Sequence, residues 1–164
     1  MFERILVPLD GSEHSKRALE KATQIAKKFG GSITLIHVYS VSVQPMLLPE
    51  PTTMGSPGIP FLTVAEISRI TEAAREAGNR ILSDGEDKVK AEKVKVEKKL
   101  IEGHAVQEIV RTAKEGNFDL IVMGARGLSK IREMFLGSVS DGVIHHALCP
   151  VLVVKWQNLQ GTTR

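Results

Sequence analysis

The sequence predicts an α/β fold, a single doubly wound open sheet of five parallel strands with helices on both faces. Five short apolar runs rich in β-branched residues alternate with four stretches whose apolar residues recur at helical spacing. The first strand, helix and second strand fall within the first 39 residues, a length typical of a parallel βαβ unit with a right-handed crossover. The chain has 164 residues, which suits one domain with a sizeable core.

The N-terminal part predicts that βαβ unit directly. A buried strand covers Ile5 to Val7 and Leu9, and the turn 8–11 ends it. Ser12 is a good N-cap for a helix from about residue 13 to 29, and Gly30 with Gly31 predicts its end. Residues 32–39 are apolar and β-branched, which predicts the second strand.

A proline-rich loop is predicted at residues 40–62. Five of the seven prolines lie here, so regular structure is excluded. Loops of this length are usually lids, interaction segments or disordered. Apolar residues within it leave two alternatives open, which are ordering against its own or a partner subunit and simple mobility.

The middle of the chain predicts a helix, a strand and a second, shorter helix. The helix runs from Thr63 to about Lys90, with apolar residues on one side. Lysines alternate with apolar residues from 93 to 100, which favours a strand at a sheet edge with one wet face. A turn at Gly103 precedes the helix 105–114.

The C-terminal part predicts the last two strands around a glycine-containing loop. A short buried strand at 119–123 leads into Gly124, and a polar, basic loop runs to a helix that opens at residues 137–140. Residues 149–154 predict a strand that is apolar on both faces, which must be central or covered by a second subunit. We therefore expect one domain over residues 1–156, followed by a short tail at 157–164.

Composition bounds the function. Basic and acidic residues number 22 and 19 and are interspersed, and the few aromatic residues are scattered, which argues against a nucleic-acid surface. The single cysteine, Cys149, allows no intramolecular disulfide. No apolar run reaches the roughly 20 residues of a membrane span, and the N-terminus lacks a signal-peptide pattern. We expect a cytoplasmic protein with no nucleic-acid or membrane partner.

The loop after the fourth predicted strand carries the candidate binding site. Ligands of parallel sheets lie beyond the strand C-termini, so residues 8–11 would meet 124–140 if the first and fourth strands pair. Gly124 and Gly127 would allow close backbone approach and positive φ. Gly137 would let phosphates reach the amides at the helix start, with two hydroxyls as further donors; these positions are Ser138, Val139 and Ser140.

Several alternatives remain open at these positions. Each glycine could instead serve as a turn or cap, and either serine could be a plain N-cap. The pattern is neither a P-loop, because no Gly-Lys-Ser/Thr follows, nor a GxGxxG turn. Three basic residues in the loop, Arg126, Lys130 and Arg132, could close over phosphates or simply be solvated.

Metal and nucleophile patterns are weak elsewhere in the sequence. The five histidines do not form a zinc pattern, so structural roles are favoured, and no metal ligand can be named. His14 lies in the first helical turn near the site, where surface placement competes with phosphate contact. Cys149 is expected to be a packed residue.

The glycine spacing Gly124-x2-Gly127-x9-Gly137-Ser138, between the runs 119–123 and 149–154, resembles that of the universal stress protein family. The opening run 5–12 and the segment 103–113 fit the same family. The resemblance implies a sheet order 3-2-1-4-5, a homodimer through Val151 to Val154, and the ATP-binding branch of the family. One departure is Ala105, where the family often has proline; it concerns a helix start.

Carried over position by position, the resemblance implies roles for individual residues. Asp10 would lie near the ribose or a metal, Val38 would hold adenine through its backbone, and Met123 would pack nearby. The full set of expected ligand contacts is Pro8, Leu9, Asp10, Val38, Met123, Gly124, Arg126, Gly127, Gly137, Ser138, Val139 and Ser140.

The leading functional hypothesis is a cytoplasmic, dimeric ATP-binding protein of stress response or regulation, with Mg²⁺ or Mn²⁺ bridging the phosphates and AMP or ADP as alternative ligands. No general base is positioned by motif, so hydrolysis is expected to be slow or partner-dependent. The alternatives are a nucleotide-independent dimeric interaction module, an ATPase with His14 as acid or base, and, less favoured, a flavodoxin-like redox protein. A regulatory protein partner is compatible with the leading hypothesis and with the interaction module.

Overall fold

The computed structural model describes residues 1–41, 63–128 and 136–155. In chain order the elements are β1 (Arg4–Pro8), α1 (Glu13–Phe29), β2 (Ser32–Tyr39), α2 (Val64–Ala91), β3 (Lys95–Glu102), α3 (Ala105–Glu115), β4 (Leu120–Gly124), α4 (Ser138–His146) and β5 (Val151–Val154). The predicted proline-rich loop from residue 42 and the C-terminal tail lie outside the described residues.

The strands form one sheet in the order β3-β2-β1-β4-β5, and all four pairings are parallel. The pairing of β1 with β4 joins Ile5 to Leu120 and Leu6 to Ile121. This confirms the predicted fold class and order, and it brings the two candidate loops to the same end of the sheet.

Alternating side chains of the strands pack into two separate hydrophobic cores, one on each face of the sheet. Ile5 and Val7 of β1 pack with residues of α1 and α2, whereas Leu6 packs on the other face with Ile109 of α3 and Val143 of α4. Successive strand residues point to opposite faces, so both faces of the sheet are covered by helices. Residues 5–7 of β1 and 120–123 of β4 are all buried and apolar, whereas β2 also buries the polar Thr34.

Local capping explains why α1 begins and ends where the sequence predicts. The Ser12 hydroxyl accepts a hydrogen bond from the Ser15 amide at 3.1 Å, which satisfies one of the free amides of the first turn. Gly30 has φ +72°, the left-handed conformation that glycine adopts without strain at a helix C-terminus. Both bounds of the predicted helix are confirmed.

The two edge strands differ in what the sequence predicted for them. The lysine-bearing strand β3 lies at an edge, as predicted. The strand β5 also lies at an edge, as the implied order 3-2-1-4-5 requires, and this excludes the alternative of a central strand. Its four apolar residues mimic a central strand because one face packs on the α3–α4 core, while Leu152 remains 38% exposed. Of the helices in the described part of the chain, none is long and apolar enough to cross a bilayer.

Candidate functional site

A cavity of about 300 Å³ opens beyond the C-terminal ends of β1, β2 and β4. The connections from β1 and β4 leave for opposite faces of the sheet there, which is where parallel sheets bind ligands. Its lining contains all twelve residues expected to contact a ligand: Pro8, Leu9, Asp10, Val38, Met123, Gly124, Arg126, Gly127, Gly137, Ser138, Val139 and Ser140. The structure thus gathers residues from both ends of the chain around one space.

The β1–α1 loop fixes the Asp10 carboxylate at the mouth of this cavity. Asp10 Oδ1 accepts a hydrogen bond from the Ser12 amide at 3.0 Å. The Ser12 hydroxyl donates to the Arg126 carbonyl at 3.4 Å, which ties this loop to the glycine loop. Ser12 therefore caps α1 and also holds together two segments 114 residues apart.

The glycines of the loop are required by close packing. A Cβ at Gly127 would lie 2.6 Å from Asp10 Oδ2, and one at Gly124 would lie 2.7 Å from the backbone carbon of His14. At both positions the close neighbours are protein atoms, so the expected close approach of a ligand stays a prediction. The expected positive φ is wrong, because neither glycine is among those with positive φ, which in the described residues are Gly11, Gly30 and Gly103.

The start of α4 places the backbone amides of its first turn at the cavity. Gly137 is the N-cap, with no side-chain hydrogen bond to the first turn, and the first helical bond runs from the Asp141 amide to the Gly137 carbonyl at 2.9 Å. The amides of residues 138–140 belong to the first turn of α4, where helix geometry provides no carbonyl partner within the helix itself. Together with the helix dipole, such amides favour an anion.

Only one of the two hydroxyls in this turn is not already bonded to the Gly124 carbonyl. Ser140 is 3% exposed, and its hydroxyl donates to the Gly124 carbonyl at 2.9 Å. Its expected use as a further donor to phosphate is therefore wrong in this geometry, because the proton is committed to holding β4 against α4. Ser138 is exposed and lines the cavity.

The other end of the cavity is apolar with one polar backbone edge. Met123 is 4% exposed, and Ile36 and Ile109 form further apolar wall. Val38 also lines the cavity. The Ile36 carbonyl accepts from the Leu9 amide, and the Tyr39 carbonyl accepts from Gly103. Because backbone groups alternate in direction along a strand, those of Val38 point to the β1 side, where β1 has already ended.

Five lining residues were not anticipated from the sequence: Ser15, Ile36, Ala105, Ile109 and Leu128. Ala105 and Ile109 are one turn apart on α3, so the sequence predicts that they share a helix face. Whether that face lines the cavity depends on the side of the sheet on which α3 packs. Ile36 follows from the strand period once Val38 is placed in the cavity. Leu128, 71% exposed, carries no sequence signal of a site.

The remaining candidates have structural roles or lie outside the described residues. The rings of His145 and His146 both bond carbonyls one turn earlier in α4, at 2.8 Å. Burial raises the pKa of the Cys149 thiol, which disfavours a thiolate nucleophile. Within the described ranges no group of three His, Cys, Asp or Glu side chains could hold a metal ion. Lys130 and Arg132 fall in the gap at 129–135.

Comparison with known proteins gives one consistent result. The family model for the universal stress protein family matches residues 1–155. The universal stress protein YxiE of Bacillus subtilis is 35% identical over 155 residues, covering 94% of this chain and all of that protein. The structure of UspA from Lactobacillus plantarum superposes with a TM-score of 0.75 at 22% identity, covering 93% and 97% of the two chains. A universal stress protein in complex with cAMP superposes with a TM-score of 0.65 at 27% identity, covering 95% and 98%.

Proposed function

This chain belongs to the universal stress protein family, and from that premise we propose that it binds an adenine nucleotide in the cavity beyond β1, β2 and β4 and acts in stress response or regulation. ATP is the proposed ligand, with AMP or ADP as alternatives. The observation that carries the proposal is that one cavity joins the first-turn amides of α4 to an apolar wall with the Val38 backbone at its edge.

The cavity has chemistry for each part of the nucleotide. The amides of residues 138–140 and the Ser138 hydroxyl would bind phosphate oxygens. The Asp10 carboxylate would accept from a ribose hydroxyl, and Val38 would meet the edge of the base between Pro8 and Met123. The solved relative in complex with cAMP supports an adenine nucleotide as the ligand class.

A divalent cation is proposed to reach the site with the phosphates. Mg²⁺ commonly uses one or two carboxylates, substrate phosphates and water. Asp10 is a carboxylate that lines the cavity, so the residues present fit a metal brought by the nucleotide. The ion would neutralise phosphate charge. Asp10 would orient the ion as the alternative to its contact with the ribose.

Hydrolysis is proposed to be slow or dependent on a partner. Asp10 Oδ1 already accepts a hydrogen bond from the Ser12 amide, and Asp10 Oδ2 faces Gly127. These contacts support a role for Asp10 in positioning the ligand and argue against a role as general base. Steady-state turnover should stay far below the median enzyme rate of about 10 s⁻¹. Rapid turnover by the wild type, lost in Asp10→Ala with ATP binding intact, would contradict this part.

A homodimer through β5 is the proposed assembly, in a cytoplasmic protein. An edge strand presents unpaired backbone groups. β5 carries the exposed Leu152, and Leu148, three residues before the strand, is 78% exposed. A second copy pairing along β5 would cover both. The single cysteine fits the reducing cytoplasm.

The decisive experiment is equilibrium binding of ATP, with mass spectrometry of nucleotide that co-purifies. We expect micromolar affinity for the wild type and its loss in Gly137→Val, because a Cβ at Gly137 already lies 3.3 Å from Arg126 Cα and 3.4 Å from the Ala125 carbonyl. Thermal unfolding checks that this variant is folded. No binding by the wild type, or unchanged binding in Gly137→Val, would favour a nucleotide-independent interaction module.

A further inference from the structure

His37 lies behind the proposed nucleotide site without lining it. It follows Ile36 on β2 and points to the face of α1 and α2, since side chains alternate and Leu35 packs in that core. Val38, the next residue, lines the cavity on the opposite face. Any effect of His37 on a ligand must therefore act through other residues.

The ring of His37 is bonded to the backbone of the β1–α1 loop. His37 Nδ1 lies 2.7 Å from the Leu9 carbonyl oxygen, immediately before Asp10. A carbonyl oxygen can only accept, so Nδ1 carries the proton of this hydrogen bond. The Leu9 amide in turn donates to the Ile36 carbonyl at 2.9 Å. Both polar groups of Leu9 are thus held by successive residues of β2.

This hydrogen bond replaces a step of the parallel ladder. In a parallel pair, a residue of one strand accepts a hydrogen bond with its carbonyl from an amide of the other strand. Two positions later, the amide of the first strand donates a hydrogen bond back to the second strand. With the Leu9 amide on Ile36, the next ladder bond would run from the Val38 amide to the Leu9 carbonyl. In the described part of the chain, Leu9 instead receives the His37 ring. The Val38 amide stays available on the cavity side.

The ring is also fixed from behind by α2. A Cβ at Gly78 would lie 2.6 Å from His37 Cδ2 and 2.7 Å from Leu100 Cδ1. Gly78 is buried in the middle of a long helix, a position where glycine is intrinsically unfavourable. The absence of a side chain there makes room for the imidazole.

We propose that His37 is a positioning residue of the nucleotide site, because its imidazole occupies the Leu9 carbonyl and so keeps the Val38 amide open for the edge of the base. This inference rests on the proposed nucleotide binding. In this arrangement Gly78 of α2 leaves the space that the His37 ring occupies. The ring in turn fixes the position of the Leu9–Asp10 backbone through its hydrogen bond.

Two substitutions separate the hydrogen bond from the packing of the ring. His37→Phe keeps an aromatic ring against Gly78 but removes the donor, so the Val38 amide should close onto Leu9. His37→Asn keeps a donor at the place of Nδ1 and should retain ATP affinity close to that of the wild type. His146→Phe is the matched control, because it removes a similar ring–carbonyl hydrogen bond on the exposed face of α4.

The test compares ATP with inorganic tripolyphosphate by calorimetry. For His37→Phe we expect ATP affinity to fall about fivefold, the value of one net hydrogen bond, while tripolyphosphate affinity stays unchanged. His37→Asn and His146→Phe should behave as the wild type toward both ligands. Equal losses for both ligands, or no loss for ATP, would overturn the inference.

Amide exchange of the free protein gives a readout that does not need a nucleotide. The Val38 amide should exchange about tenfold slower or more in His37→Phe than in the wild type, because it enters the ladder. Equal exchange in the two proteins overturns the role of His37 while leaving nucleotide binding standing. Failure of the wild type to bind ATP, with the exchange difference present, overturns the proposed function and with it the purpose assigned to His37.

Discussion

Replacement of Gly127 by alanine should weaken nucleotide binding through Asp10 while leaving the fold intact. The new Cβ would lie 2.6 Å from Asp10 Oδ2, whereas ordinary contact begins near 3.4 Å. The carboxylate must therefore rotate away, which breaks the 3.0 Å hydrogen bond from the Ser12 amide to Oδ1. Because the atom displaced is the end of a side chain, the backbone need not move.

The size of the effect follows from the bond that is lost. A hydrogen bond to a charged group contributes about 1.5–3 kcal/mol, less where water can replace it. Alanine at a position without positive φ recovers about 0.4–1 kcal/mol through the unfolded chain. We expect the free energy of unfolding to fall by about 1 kcal/mol and ATP affinity to fall about tenfold as the carboxylate leaves the ribose.

A double-mutant cycle with Asp10→Ala isolates this cause. In the Asp10→Ala background the new methyl group meets no carboxylate, so Gly127→Ala should have almost no further effect on stability or ATP affinity. Urea unfolding and calorimetry measure the two quantities. An equal loss from Gly127→Ala in both backgrounds would refute the clash with Asp10 as the cause.

Four further outcomes are expected. Gly124→Ala should lower the free energy of unfolding by about 2–3 kcal/mol in urea, because its Cβ meets the α1 backbone at His14 and overpacking there cannot relax; stability equal to that of Gly127→Ala would contradict this. Ser140→Ala should cost about 1–2 kcal/mol in the same assay, since it removes a buried donor from the Gly124 carbonyl, and an unchanged midpoint would count against that bond. Leu152→Asp should convert the proposed dimer to monomer in sedimentation velocity, whereas Lys99→Asp on the opposite edge strand should not; a dimer in both would place the interface elsewhere. The pKa of Glu66 is lowered by the hydrogen bonds it accepts from the Thr63 amide and hydroxyl. Its contribution to stability is therefore present above the ordinary pKa of 4.5 and is lost as the pH falls through the lower folded value. The melting temperatures of the wild type and Glu66→Gln should converge at acidic pH, and a constant difference between them would argue against the capping box.

The elements of this fold were readable because their signals are local. Ser12 and Gly30 bound α1 through hydrogen bonds and a backbone conformation that involve only neighbouring residues. The lysines of β3 indicated an edge because charged side chains discourage further pairing. By contrast, β5 has no such signal, since a strand apolar on both faces fits a central position and a subunit interface equally well.

The candidate site was predicted by spacing, but the roles within it needed the tertiary structure. The sequence cannot show that Gly124 adjoins α1 or that Gly127 faces Asp10, because these contacts join segments more than 100 residues apart. For the same reason the inward hydrogen bond of Ser140 was not foreseen. His37 gave no sequence signal at all, because its function depends on where β1 stops pairing with β2.

The sequence alone determined the alternation of strands and helices, the caps, the composition of both sheet faces and the glycine spacing that indicates a phosphate site. Periodicity and capping depend on residues that are close together in the sequence, so they can be predicted from the sequence alone. Only the tertiary structure decided that the glycines provide packing room in place of positive φ, and that His37 holds the Leu9 carbonyl. Each of these depends on the register of β1 between β2 and β4, which is set by the packing of the whole sheet and by no single segment.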